Sequence, residues 1–476
     1  MHLKRLVVGL LLAGGLALPA WSVTDEEIFR DFRFNFANPG ARALAMGGAF
    51  IAIANDATAA QANPARLGVL RLPEIFAEVR TRDTQATSKE TGTFQINQTI
   101  NPAATLNLTS SIEPEAQTTP SVVSFVWPFS FRRAFTIGFS RQEILSVESS
   151  ASNSFVEIPL NSSPFQDPLD PEDFTNASSG FIDSTLVQYN LSGGLQITRD
   201  LFVGGSIVMG QLDLKSSMVS TFSDPDNVTG LGGLDPRFQT AAGSTLISTS
   251  IDDSDTDVTW AFGLFWKLND YVQFGTVYKK GVEMTVEEEV RDFSGSGLPP
   301  TEEVTFNVPD VAGLGVAYMP FAGSASAAAR NLLFALDVVR VENEDVVRSF
   351  TSQLNVITLP RFIKGVEFEA ENQTELHVGA EYFIPVGRGL FAVRAGFYTD
   401  PDTSISATNV VSDGTPEQEG TKAAIERGEI FPTRDDETHL TAGLGFSYAN
   451  FEFSAAADFS DIEDQSLFSV IYRFRR

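Results

Sequence analysis

Two histidines, His377 and His439, are the imidazoles that remain once an N-terminal leader carrying His2 is set aside. Histidine is the side chain best suited to move protons near neutral pH. His439 closely follows Asp435, Asp436 and Glu437, and a carboxylate placed there could orient the ring as a general base. No nucleophilic-serine signature, no glycine-rich phosphate loop and no HExxH helix accompanies them. Carboxylate clusters at Asp167–Asp173 (DPLDPED), Asp252–Asp257 (DDSDTD) and Arg434–Glu437 (RDDE) have spacings that could hold calcium. None continues into a full calcium loop, and the turn glycine is missing, so solvated loop charge is expected. We expect no enzyme, no metal and no cofactor, with the histidines serving as polar lining.

What must position these residues follows from the charge and the apolar pattern. With 33 basic against 61 acidic residues, the formal charge of −28 repels nucleic acid. Lys4 and Arg5, the apolar run Leu6 to Leu18 and the small residues flanking Trp21 in Ala20-Trp21-Ser22 read as an export signal over 1–22. The mature chain is expected to start near Val23. Without cysteine it has no disulfide framework and is no lipoprotein. Beyond the leader, the uncharged stretch from Val311 to Ala329 is broken by Gly313, Gly315, Pro320 and Gly323. It does not suit a membrane helix of about 20 apolar residues. Membrane residence would have to come from strands.

From residue 72 onward, segments alternating apolar with small or polar residues recur, joined in turn by tight turns and long polar loops. Fourteen strands are expected: Leu72–Asp83, Ser121–Phe129, Ala134–Val147, Thr185–Thr198, Leu201–Leu214, Asp257–Lys267, Tyr271–Glu287, Asn307–Pro320, Asn331–Val341, Glu375–Pro385, Leu390–Thr399, Thr438–Tyr448, Phe451–Ser460 and Ser466–Phe474. In strand six, Val258, Trp260, Phe262, Leu264 and Trp266 share one face, opposite Thr259, Ala261 and Gly263. The connections 84–120, 148–184, 215–256, 288–306, 342–374 and 400–437 are long and polar, and the others are mostly short. This asymmetry belongs to an outer-membrane barrel. A barrel must also close, because lipid offers no partner to a bare strand edge. The fold class is therefore all-β: a 14-stranded antiparallel transmembrane barrel over 72–476. His377, Glu381, Arg394 and His439 fall on its lumen-facing side. A glycine can mark a strand kink, so Gly138 in strand three is the candidate for a lateral opening.

Within the N-terminal segment 23–71, residues 40–65 are too apolar for a linker and too broken for a membrane helix. Gly47 and Gly48 permit tight turns. Asp56 can cap a short helix from Ala57, and Pro64 should stop it at Asn63. The segment reads as a partly helical plug inside the lumen, with Gly47, Gly48, Asp56, Asn63, Pro64 and Ala65 at its turns. The run GARALAMGGAF followed by NDATAAQANPARL, residues 40–67, resembles the N-terminal segment of the FadL/PorV group of outer-membrane proteins. The ending SLFSVIYRF, with Phe468, Val470, Tyr472 and Phe474 on one face, resembles the signal read by the bacterial barrel-insertion machinery; Arg475 and Arg476 depart from it. The resemblance implies a fourteen-stranded barrel with an N-terminal hatch in the bacterial outer membrane. It further implies passive passage of a hydrophobic small molecule such as a fatty acid. The alternative is a PorV-like partner of protein secretion or a structural scaffold, with a secreted protein in place of the small molecule. Outer-membrane lipid is the common neighbour in both readings.

Overall fold

The computed structural model describes residues 34–84, 89–95, 105–112, 117–130, 132–156, 175–223, 244–292, 300–326, 329–344, 346, 367–404, 406–408, 436–460 and 463–474. The leader over 1–22, hatch residues 23–33, the Asp167–Asp173 cluster and Arg434-Asp435 lie outside them.

Fourteen antiparallel strands form a closed ring. In chain order they are β1 (Glu74–Thr84), β2 (Gln117–Ser130), β3 (Ala134–Val156), β4 (Thr175–Gln196), β5 (Leu201–Ser223), β6 (Ser244–Lys267) and β7 (Val272–Lys279). The second half comprises β8 (Asp310–Tyr318), β9 (Leu332–Glu342), β10 (Gln373–Val386), β11 (Gly389–Asp400), β12 (Glu437–Tyr448), β13 (Phe451–Phe459) and β14 (Glu463–Arg473). Each pairs with its sequence neighbour, and β1 closes on β14 from Glu74↔Arg473 to Thr84↔Glu463. Closure leaves the sheet no free edge, which is the condition for a sheet to stand in hydrocarbon.

Alternation divides the wall. Val258, Trp260, Phe262, Leu440, Leu444 and Phe453 are exposed on the outside, whereas Thr259, Ala261, Phe265, Thr441 and Ser454 are buried within. A water-soluble chain would bury such aromatics, so this outer band fits a lipid solvent. On β14 Phe468 is exposed outward, as is Phe474 just past the strand end, while Leu467, Ser469 and Ile471 are buried.

Several strands run well past their expected ends. Asp252–Asp257, expected in a polar loop, lies within β6. The first long connection carries a hairpin of its own, Lys89–Gln95 with Thr105–Ile112, whose second arm pairs with the outer part of β3. Strand seven is broken at Lys280–Val282 and resumes as Glu283–Asp292, which pairs with Thr301–Asn307. Alternation continues across such segments without a lipid boundary to mark them, so the expectation stopped where the large apolar residues did.

Candidate functional site: the hatch in its lumen

The hatch lies inside the barrel and is built largely of small residues. Helix α1 (Ala41–Ala45), helix α2 (Ala59–Ala62) and a 3-10 turn (Pro64–Val69) are almost wholly buried. Ala43, Met46, Ala49, Phe50, Ala57, Ala60 and Leu67 form one core with the wall residues Phe76, Val122 and Val126. The backbone follows its glycines. Gly47 has φ +62°, and a Cβ there would stand 2.5 Å from the backbone nitrogen of Phe397, so both conformation and space exclude a side chain. On the facing wall, Gly204 would place a Cβ 2.2 Å from the carbonyl carbon of Pro64. Inward glycines let the hatch lie flush against the strands.

Asp56 does not cap a helix at Ala57. Its carboxylate accepts from the Thr58 backbone N–H at 2.9 Å and from the Thr58 hydroxyl, and the helix begins at Ala59. This is a local aspartate turn, which competes with helix at this position. At the other end Asn63 Oδ1 caps the 3-10 turn through Ala65 N at 3.1 Å. Asn63 Nδ2 reaches the carbonyls of Ile51 at 3.1 Å and Leu264 at 3.2 Å. One side chain thus ties two hatch segments to β6, and Pro64 starts the turn at the position proline favours.

Polar wall groups pin the hatch backbone. The buried Asp337 carboxylate on β9 accepts from Phe50 N at 2.6 Å and Ile51 N at 2.8 Å. Thr441 accepts from Gly47 N at 3.0 Å, and His377 Nδ1 lies 2.8 Å from the Gly47 carbonyl. The second His377 nitrogen faces Glu375 at 2.8 Å, so the ring bridges wall and hatch. A Cβ on Gly48 would stand 2.6 Å from the same ring. Of the carboxylates that precede it in sequence, Glu437 stands by His439, 3.9 Å from Nε2. His439 Nδ1 lies 3.1 Å from Asp458 of β13, and Tyr398 donates to the same carboxylate at 2.6 Å. The Tyr398 and His439 rings stack at 4.1 Å.

An alternating chain of charge crosses the lumen. Arg42 of the hatch holds Glu381 by two bonds, at 2.8 Å and 2.7 Å, and lies 4.0 Å from Asp56. Glu381 also accepts from Arg394 at 2.7 Å, and Arg394 lies 3.8 Å from Glu452. Arg473 then bridges Glu452 at 3.0 Å and Glu74 at 2.9 Å. Burial disfavours the Arg42 charge, but the Glu381 carboxylate more than offsets it and holds the guanidinium above its ordinary pKa. The network links the hatch, through β10, β11 and β13, to the β1–β14 closure. Glu381 and Arg394 fall on the lumen side, as alternation placed them; Arg42 and Asp337 escaped sequence reasoning. The available signal for Asp337 was a lone carboxylate in the apolar strand LLFALDVV.

Gly138 does not kink strand three. It pairs in register with Val126 on one side and Ser192 on the other. Its missing side chain instead admits the hatch, with Ala60 Cβ 3.3 Å from where its own would be. The irregularity in β3 lies further along, where register shifts between Glu143 and Leu145. The β2–β3 ladder ends at Val122↔Gln142. Beyond it, Thr119 donates to Glu143 at 2.8 Å, and Arg141, itself still paired with Val123, reaches past the end to the Pro120 carbonyl at 2.8 Å. The Ile144 carbonyl receives Asn35 N of the hatch lead-in at 2.7 Å.

A closed ring of fourteen strands with an N-terminal plug has counterparts among solved structures. The CymD monoaromatic hydrocarbon channel superposes with a TM-score of 0.52 at 15% identity, covering 93% of this chain and 100% of that one. A Pseudomonas aeruginosa FadL homologue gives 0.53 at 12% identity, covering 93% and 99%. The barrel has the FadL-type fold. No protein-family model and no curated protein matches the chain. In this FadL-type barrel the hatch is held by hydrogen bonds, one charged network and flush packing, the contacts that any opening of the lumen would have to break.

Proposed function

We propose that the chain resides in a Gram-negative outer membrane and conducts a hydrophobic small molecule passively inward, by way of the wall at β2–β3 and the hatch. The observation that carries this reading is the interrupted ladder beside Ile144. There side-chain bonds replace backbone pairing, and the hatch lead-in docks at the same carbonyl. Side-chain bonds across a seam separate more readily than a continuous backbone ladder, and an apolar solute arriving from the outer leaflet needs no hydration to enter there. The two solved structures of like fold support the reading through the fold they share; the CymD channel is named for monoaromatic hydrocarbons.

The absence of native cysteine allows a direct test. Ala60→Cys with Gly138→Cys would place two Cβ atoms about 3.3 Å apart, close to the roughly 3.5–4.5 Å of a disulfide. In proteoliposomes, oxidation should lower uptake of a labelled hydrophobic solute, and reduction should restore it. Equal uptake in both states refutes passage through a moving hatch.

A further inference from the structure

The short turns of the ring invert the charge of the chain. They carry Arg132, Arg133, Arg199, Arg330 and Arg388 against Asp200 and Asp270, although the whole chain holds 33 basic and 61 acidic residues. Asp270 is already taken by Lys267 at 2.8 Å. All five arginines are exposed, and among the described residues none makes an ion pair. Acid gathers at the opposite end of the wall, at Asp252, Asp253, Asp255 and Asp257 on the outer part of β6. Cations set against the bias of their own chain call for a counter-charge from outside it.

Three of the five stand together. The register Phe135↔Leu195 sets the turn before β3 beside the turn after β4, so Arg132, Arg133 and Arg199 share one arc of the rim. The wall next to that arc is apolar on its outer face. Trp127 and Ile137 are partners across β2 and β3, and both are exposed, as is Leu195 on β4. The Phe129 and Phe135 rings stack at 6.1 Å beside the turn. Exposed Trp266, Tyr271 and Tyr448 mark the short-turn ends of other strands. Such aromatics lie where hydrocarbon gives way to headgroups. The arginines lie one step beyond, at the depth where a phospholipid carries its phosphate. A guanidinium fork matches phosphate oxygens in two parallel bonds. The arc is thus continuous with the lipid-facing band, which favours a lipid over a protein as its partner. Its net charge selects an anionic headgroup over a zwitterionic one, whose own cation it would repel.

We infer that the rim at Arg132, Arg133 and Arg199 binds an anionic phospholipid of the inner leaflet, with the headgroup phosphate at the guanidiniums and the acyl chains against Trp127, Ile137 and Leu195. The inference rests on the outer-membrane reading, which puts short turns on the periplasmic side. It does not depend on transport or on movement of the hatch.

The test reads quenching of Trp127 by brominated acyl chains. The full chain carries Trp21→Phe, Trp260→Phe and Trp266→Phe, which leaves one indole, and is reconstituted in phosphatidylcholine vesicles. Either brominated phosphatidylglycerol or brominated phosphatidylcholine is then titrated in. Phosphatidylglycerol should occupy the site about fivefold better, as one surface arginine contributes, and high salt should narrow the difference. Arg132→Gln with Arg133→Gln should bring the two lipids level. Arg388→Gln, on the turn between β10 and β11, should leave the preference intact. These side chains are exposed, and a heat-modifiable gel shift checks that each barrel is folded. Equal quenching by both lipids, or an undiminished preference in the double variant, would overturn the inference. Equal quenching with salt-sensitive binding of polyglutamate that the double variant loses would overturn it too, and would assign the arc to an acidic protein. A folded chain that never enters vesicles refutes the outer-membrane reading along with the inference, whereas insertion with equal quenching refutes the inference alone.

Discussion

Glu381→Gln tests whether the charged network holds the hatch closed. In the wild type this fully buried carboxylate stands between Arg42 and Arg394, with bonds of 2.7–2.8 Å to each. The amide is nearly isosteric, so packing is kept while the negative charge is lost. Two guanidiniums then face one another with Asp56 at 4.0 Å and Glu452 at 3.8 Å as their remaining carboxylates. Leaving a buried charge without its partner costs about 3–5 kcal/mol. Arg42 keeps 12% exposure, so the lower end applies, about 3 kcal/mol. The barrel strands keep their ladders, so this energy falls on the hatch equilibrium. At about 1.4 kcal/mol per tenfold, the open population of the hatch should rise about a hundredfold. Hydrogen exchange of the Ala41–Ala54 amides should quicken by that factor, while exchange in β12 and β13 stays unchanged. Ion conductance across a planar bilayer should show brief openings absent from the wild type. Glu452→Gln removes a carboxylate at the outer part of the network, with Arg473 still held by Glu74, and should shift the same amides much less. Glu381→Gln with wild-type protection across Ala41–Ala54 would refute the reasoning.

Asp337→Ala strands two buried N–H groups at Phe50 and Ile51, at about 1–3 kcal/mol each; Asp337→Asn keeps an acceptor and should recover much of the loss, as read by exchange at those two amides. Gly204→Val forces atoms into the Pro64 carbonyl, where even a Cβ would sit 2.2 Å away, so proteolysis within the hatch should become detectable while the heat-modifiable gel shift of the barrel persists. Asn63→Ala removes bonds to Ile51, Leu264 and Ala65 together and should accelerate exchange from Ile51 through Ala65. On the outer part of β6, the carboxylates of Asp253, Asp255 and Asp257 accept from Glu287 N, Thr285 N and Glu283 N at 2.8–3.0 Å, standing where backbone carbonyls would otherwise pair. Asp255→Ala should therefore raise exchange at Thr285 but leave the β6–β7 ladder at Gly263↔Val277 protected.

The ring of fourteen strands was legible because lipid imposes a strong rule on every second residue: Trp260, Phe262 and Leu444 could not face water. The hatch was legible for the opposite reason, since Gly47, Gly48 and a run of alanines suit no membrane helix and no exposed linker. Strand ends were not legible, because beyond the lipid band Asp253 or Thr285 can sit in a strand or a loop with equal ease. Gly138 was misread because a lone glycine in a strand has two meanings, a bend or a close approach, and only the packed neighbour decides. That ambiguity yields once inward residues are compared around the ring. Gly204, Gly263, Gly379 and Gly396 are inward and small, and each would place a Cβ within 2.4 Å of the hatch. Phe202 and Phe265 are inward and large, and with Arg66 they line a cavity of about 480 Å³ on the short-turn side of the barrel. Inward side-chain size therefore records how closely the hatch approaches the wall at each strand. It places the cavity on β5 and β6, where each strand turns from glycine to phenylalanine two residues nearer the short-turn rim. Swapping that order, with Phe265→Gly and Gly263→Phe, should unseat Asn63 and abolish the cavity together, whereas Phe265→Leu should change the cavity alone.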